Sequence, residues 1–473
     1  MKRLIAVLLG LSWSLAQGDP VGSYINSSLR AWDAPGVAVA VVKGGEVALL
    51  SGYGVRGAED PRPVDPDTLF AAASLTKAFT ATAAQKLAQV GRLNLDSPIT
   101  QMVPGLKFAT PELNQKLTLR QVLAHQSGLP GHADDALWWL FDYPPAEMLA
   151  RLAYLKPREP LGQSWNYSNA LYVAAGQAIA GAAGQSYAQV MAQMLAELGM
   201  NNSGMGTAFL EGKENVARPH FRSGGQTIPT RLNPNYDSIL AAGGLISSAR
   251  DLVPWLKFQL GYSNWLSPQH LAETHTMQVR TGKVQGYGLG WFVDQHRNQP
   301  YIWHNGLADG MTSYIGILPQ SDLAVAVLAN FEASNFPVGI GRYLLDYYSG
   351  QKPGDWSATY LQSFRQQERA RTQARSKRKI GTPTLPLEQY LGSYNDPFLG
   401  TIKVELENGR LVVRAGPETG DLVPLGGHRF FLTFRDPAIG DWDVLTFETA
   451  SPEVVALKLG EGPYADRMVR VKE

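Results

Sequence analysis

Between residues 351 and 385 the chain loses any capacity to bury itself: Arg365, Arg369, Arg371, Arg375, Lys377, Arg378 and Lys379 crowd a polar stretch that ends among prolines. A run so charged has no apolar stripe wide enough for a core, so it is expected to be a solvated helical linker with separate folding units on either side. The 473 residues are in any case too many for one ordinary core. Binding of an anionic polymer or a lipid surface is the alternative reading of this charge.

The two sides differ in pattern. On the N-terminal side, residues 21 to 33 read as helix, and Val37 to Val42 and Glu46 to Leu50 are β-rich runs joined by Lys43-Gly44-Gly45, a hairpin signature. Residues 75 to 90, rich in Ala, Leu, Lys and Gln with Gly91 behind them, predict a helix with a glycine stop. From about 118 to 270 the pattern is mainly helical, including 169 to 182 and 187 to 197. Strand character returns at Tyr287 to Val293, Tyr301 to Trp303, Ser313 to Leu318 and Leu323 to Leu328, and these strands are expected to share one sheet with the hairpin. The fold class is therefore α+β: an antiparallel sheet flanked by helices, with a helical subdomain. On the C-terminal side, short β segments recur from Ile402 to Val471 around an Asn408-Gly409 turn, which predicts a small antiparallel barrel or sandwich.

The first residues have the form of a secretory leader, with Lys2 and Arg3 ahead of an apolar stretch from Ile5 to Leu15 and small residues at Ser14 and Ala16. That stretch is too short for a membrane span, which needs about 20 apolar residues. The mature chain is thus expected to be secreted or periplasmic, with no stable span after cleavage. Without Lys2 and Arg3 the basic count drops from 42 to 40 against 41 acidic residues, so no global basic field argues for nucleic acid. The chain has no cysteine. Disulfides, a cysteine nucleophile and a lipid-modified N-terminal Cys are all excluded.

Serine three residues before lysine occurs three times. Ser349/Lys352 lies at a glycine-containing helix end and Ser376/Lys379 in the basic stretch, and both read as accidental. Ser74/Lys77 opens a helix, where residues three apart share a face and the helix N-terminus favours developing negative charge. A buried lysine can take the serine proton once desolvation lowers its pKa. Taken alone, the pair reads as well as a capping serine before a surface lysine. Three Tyr-x-Asn triplets also occur. Tyr24/Asn26 falls on the first helix and Tyr262/Asn264 in a turn, whereas Tyr167-Ser168-Asn169 precedes a helix and can present a phenol and a carboxamide to a cleft. His304-Asn305-Gly306 precedes the apolar strand at 313, and Gly306 is expected to admit a substrate backbone. His125 reads as structural. No metal-ligand spacing is present, and neither metal nor cofactor is expected.

In this order the three motifs resemble those of the penicillin-recognising serine hydrolases, especially the class C β-lactamase-related branch. The resemblance extends to Thr118–Leu129, Ala242–Ser248, Tyr287–Trp291 and His304–Pro319. It implies Ser74 as nucleophile, Lys77 and Tyr167 sharing the proton transfers, Asn169 holding the acyl-side amide and His304 on the opposite strand. Backbone N–H groups of Ser74 and Leu307 are the implied oxyanion hole. Many relatives carry Lys where His304 stands, which argues against efficient β-lactam hydrolysis and towards peptidases or esterases acting on short acyl donors, D-residue peptides among them. The alternatives are a β-lactamase or D,D-carboxypeptidase, or a catalytically silent cell-wall-binding module. Expected partners are a small peptide, ester or β-lactam substrate. The resemblance divides the chain into a signal peptide (1–16), a catalytic domain (17–350), a basic helical linker (351–385) and a lipocalin-like β-barrel (386–473). Oligomerisation through that barrel is a further expectation.

Overall fold

The computed structural model describes residues 19–436, 439, 441–450, 453–460 and 466–471. The expected leader lies outside these residues.

The first domain is built on a nine-stranded antiparallel sheet. Its centre consists of β1 (Gly36–Lys43), β2 (Glu46–Gly57), β3 (Gln299–Ala308), β4 (Met311–Leu318) and β5 (Leu323–Ala329), in the order β2-β1-β5-β4-β3. The N-terminal hairpin thus joins the later strands as expected. β1 and β5 are apolar throughout because both of their faces are covered. The strand period of two sorts their side chains. Val37, Val39, Val41, Val325 and Val327 face a cluster with Ile25, Trp32, Phe336 and Leu344. The smaller Ala38, Ala40, Ala324 and Ala326 face the larger core that contains the helices of the helical subdomain.

Helices α1 (Pro20–Trp32) and α2 (Thr76–Gln89) lie on the two sides of this sheet. Burial runs almost all round α2, whose Ala78, Ala81, Thr82 and Ala84 keep it narrow enough for the centre of the domain. It packs beside α3 (Asn169–Ala183). Two further helices, α4 (Asn335–Tyr348) and α5 (Trp356–Ser376), close the outer face.

The basic stretch is not a linker along its whole length. The first turns of α5 belong to the first domain: Ser357 and Leu361 are buried, Phe364 packs on Trp32, and the Trp356 indole N–H donates to Asp346 at 2.8 Å. Asp346 is fully buried and also accepts from His296, Arg297 and the Gly354 amide, a donor set that holds its carboxyl far below the usual range. From Arg369 onward the helix is exposed all round.

Eight strands from Gly392–Asp396 to Asp466–Arg470 then close into an antiparallel barrel. Large side chains fill its inside, with Tyr390 and Phe430 each within 5.5 Å of the Phe447 ring. The barrel seats on residues 140–151 of the helical subdomain. Tyr143 donates to the Leu399 carbonyl at 3.2 Å, Arg151 donates to the carbonyls of Pro397 and Phe398, and a side chain on Gly400 would strike the Tyr143 hydroxyl.

Candidate active site

Ser74 stands in a single 3-10 turn, Ala73–Leu75, that leads into α2. Ala73 has φ of 48°, the left-handed region that a residue with Cβ occupies only under constraint from its surroundings. The constraint is visible on both sides of the turn. The Ala72 amide donates to Leu245, the Ala72 carbonyl accepts from the Ser313 hydroxyl at 2.7 Å, and the Thr76 hydroxyl donates to Ala73 and accepts from the Leu245 amide. The strained turn sets the serine at the edge of a cleft of about 480 Å³.

Lys77 follows one turn later and is fully buried. Its Nζ donates to Ser74 Oγ at 3.2 Å, to Asn169 Oδ1 at 2.8 Å and to the Ala242 carbonyl at 2.8 Å. Three acceptors satisfy the three protons of an ammonium. Burial nonetheless lowers its pKa from 10.5 to about 7, against the opposing pull of Asp135 and then Asp134. The Tyr167 hydroxyl donates to Ser74 Oγ at 2.8 Å from the other side, and burial pushes this phenol far above its usual 10, so it keeps its proton.

The Tyr167-Ser168-Asn169 triplet works because its middle residue is a helix cap. The Ser168 side chain accepts from the Leu171 amide, and the buried Asp134 accepts from Ser168 Oγ and the Ala170 amide. With Ser168 fixed at the start of α3, Tyr167 and Asn169 are both turned to Lys77 and Ser74. His125 lies beneath them as the structural residue it was expected to be: its Nδ1 accepts from the Ser168 amide, and its ring is 4.4 Å from that of Tyr167. It is fully buried, and desolvation holds it well below the usual histidine pKa.

Two expectations need correction. Asn169 does not present a free carboxamide to an acyl group: its oxygen receives Lys77, and its nitrogen donates to Asp135 Oδ1 at 2.7 Å. It positions the lysine. Gly306 admits protein backbone rather than substrate backbone, because a Cβ there would lie 2.4 Å from both the Ala72 carbonyl and the Ser313 hydroxyl. The glycine lets β3 close on the serine turn.

His304 stands on that strand, lining the cleft, with both ring nitrogens occupied. Nδ1 donates to the Asn305 carbonyl at 2.6 Å, which leaves Nε2 to accept from the buried Tyr287 hydroxyl at 3.0 Å. Burial lowers its pKa to about 3, so the imidazole is neutral throughout the physiological range. The ladder between β3 and the strand Phe292–His296 ends at Trp303. From His304 onward this edge of β3 is left to the cleft, and half-exposed Leu307 lies on it.

Sequence reasoning missed Asp135, which ties Asn169 to His132 (Nδ1 to Oδ2, 2.9 Å), together with the Ala242 carbonyl and Tyr287. The last two lie inside segments already noted for their resemblance, Ala242–Ser248 and Tyr287–Trp291. Asp135 follows Thr118–Leu129 with no signal of its own.

Residues 26–348 match the Beta-lactamase family. The chain belongs to this family. Residues 376–467, covering most of the barrel, match a domain of unknown function (DUF3471). Among β-lactamase-family relatives, Protein flp of Staphylococcus aureus (strain MW2) is 29% identical over 329 residues, 67% of this chain and 64% of flp, so the chain spans less than two thirds of that protein's length. The Unguisins hydrolase ungD' of Aspergillus campestris (strain IBT 28561) is 26% identical over 419 residues, 80% of this chain and 77% of that one. The octameric penicillin-binding protein homologue from Pyrococcus abyssi has the same fold, with a TM-score of 0.66 at 24% identity over 95% of this chain and 99% of its own.

Proposed function

We propose that the chain is an exported serine hydrolase that forms an acyl-enzyme on Ser74 and acts as a peptidase or esterase on short acyl donors. One observation carries the reading: Ser74 Oγ stands between a buried lysine at 3.2 Å and a half-buried phenol at 2.8 Å, at the edge of an open cleft. Burial brings Lys77 down to about 7, which makes its amine form accessible near neutral pH and able to take the Ser74 proton as Oγ attacks a carbonyl carbon. Tyr167, still protonated, donates to the departing amine or alcohol and is resupplied from Lys77. Backbone N–H groups of Ser74 and Leu307 hold the oxyanion, a contribution typically of about a hundredfold per donor. Water then attacks the ester, and the same transfers run in reverse. The leader sequence supports action outside the cytoplasm. No helix among the described residues is long and apolar enough to cross a membrane.

The neutral, doubly bonded His304 separates this reading from the β-lactamase or D,D-carboxypeptidase alternative, because no fixed cation stands there for a substrate carboxylate. Intact-protein mass spectrometry after a fluorophosphonate, a p-nitrophenyl ester and a penicillin, each with Ser74→Ala alongside, tests both. The expected result is a fluorophosphonate and ester adduct on the wild type alone, with little from penicillin. Rapid penicillin acylation would favour the alternative. No adduct on folded protein would leave a binding module.

A further inference from the structure

The cleft beside Ser74 has walls of unusual composition. Trp138 and Tyr236 lie tilted against each other there, with ring centroids 5.1 Å apart and planes at 58°, and Trp139 turns its indole N–H to Asp309. Three carboxylates, those of Asp135, Asp309 and Glu332, line the same space, and no lysine or arginine does. Tyr236 feels the charge of all three, which locates them around one aromatic corner. Besides Trp139, Asp309 accepts from the Asn233 amide at 3.3 Å, and Glu332 accepts from the Gly310 amide at 3.0 Å. The cation nearest Asp309, Arg231, is 73% exposed and turned to Asp436 of the barrel at 3.8 Å. Two largely buried carboxylates therefore stand beside aromatic faces with no cation in ion-pair contact among the described residues, Arg231 reaching Asp309 only through its field. Burial raises Asp309 to about 6 and Glu332 to about 7, in the second case with help from Asp309.

We propose that the acyl donor carries a positively charged group, an ammonium, that seats in this corner between the aromatic faces and the carboxylates of Asp309 and Glu332. The inference rests on the serine-hydrolase reading and specifies its substrate class. An ammonium over tryptophan and tyrosine faces is attracted by their negative quadrupoles, and most strongly where water is excluded. It would also supply the counter-charge that the two carboxylates lack, drawing both toward their ionised forms. Geometry fixes the reach. Asp309 opens the turn that follows β3, two residues beyond Leu307 and, by the strand rise, about 7 Å from the oxyanion donor. The ammonium therefore sits some five or six bonds from the reacting carbonyl, the reach of an ω-aminoacyl chain or of a dipeptide with a free amino terminus. An anionic donor would instead meet three carboxylates, which agrees with the absence of a cation at His304.

The test uses a matched pair that differs only in charge, trimethylammonio-hexanoyl and its tert-butyl isostere, each as an amide for binding and as a p-nitrophenyl ester for turnover. Binding of the amides to the full-length Ser74→Ala protein, followed by calorimetry at low salt, is independent of catalysis. The cationic amide is expected to bind at least about tenfold tighter than the isostere, and Asp309→Asn with Glu332→Gln in the same background should bring the ratio to within about twofold. The esters should give the same ordering in kcat/KM on the wild type. Equal binding of the two amides, tighter binding of the isostere, or a ratio that persists in the double variant would overturn the proposal. If the amides bind selectively but neither ester acylates the wild type, the serine-hydrolase reading fails and the cation site stands. If the esters acylate without charge preference, the hydrolase reading stands and the cation site falls.

Discussion

Replacing Asp135 by asparagine should make Ser74 more reactive in mild acid. Asp135 lies one carboxamide away from Lys77: Nζ to Asn169 Oδ1 is 2.8 Å, and Asn169 Nδ2 to Asp135 Oδ1 is 2.7 Å. The two charges are thus about 7 Å apart, and at an effective dielectric of about 20 their attraction is worth roughly 2 kcal/mol. Asp135 is the largest influence holding the proton on Lys77 against burial. Removing its charge favours the amine, so the acid limb of acylation should fall from near 7 by about one to one and a half pH units, at about 1.4 kcal/mol per unit. Near pH 6 the variant should then acylate several-fold faster than the wild type. Its plateau at high pH should be somewhat lower, because a weaker base drives the transfer less. Second-order inactivation by a fluorophosphonate, followed from about pH 5 to about pH 9, isolates this step. Asp135 also raises the pKa of His132, so His132→Gln with Asp135 intact serves as the control, and its limb should stay in place. A limb in Asp135→Asn that does not move, or moves up, in a protein with an unchanged thermal transition would refute Lys77 as the base.

Two further outcomes follow from the packing and the buried charge. In Gly306→Ala the new methyl meets the Ala72 carbonyl and the Ser313 hydroxyl at 2.4 Å, so β3 or the serine turn must shift; fluorophosphonate labelling should fall by about a hundredfold or more while the melting transition stays cooperative, and normal labelling would contradict the close approach. Glu332 ionises near 4.5 in an unfolded chain and near 7 when folded, so the folded state binds more protons in between and loses stability as pH rises through that window. Glu332→Gln, which keeps an acceptor for Gly310, should therefore raise stability by up to about 3 kcal/mol above pH 7 and by little below pH 4.5, as read by urea denaturation; an equal gain at both pH values would refute the buried-charge origin.

The juxtaposition of Ser74 with its neighbours was legible because their spacing is local. Ser74 and Lys77 share a helix face, and the Tyr167-Ser168-Asn169 triplet is tied together by a cap that any sequence reader can see. The sheet was legible for a similar reason, since apolar strands without alternation must be covered on both faces. What escaped were relations between distant segments. The left-handed backbone at Ala73 is imposed by bonds to Leu245 and Ser313, not by its own side chain. The use of Gly306 depends on a carbonyl more than two hundred residues away. The neutrality of His304 depends on burial by segments distant in sequence and on the charge of Lys77. The basic stretch was misread along its first turns because one tryptophan and one serine, Trp356 and Ser357, anchor it more firmly than its composition implies.

Among the described residues the barrel is closed and its inside is packed with side chains, so what it offers the first domain is its outer surface. That surface grips residues 140–151, directly behind the segment that carries His132, Asp135, Trp138 and Trp139 into the cleft. A substitution on the barrel that lines no part of the cleft can therefore shift one cleft wall through this contact, leaving Ser74 and Lys77 untouched. The shape of the cleft and the pairing of its serine and lysine become separately heritable traits of one polypeptide.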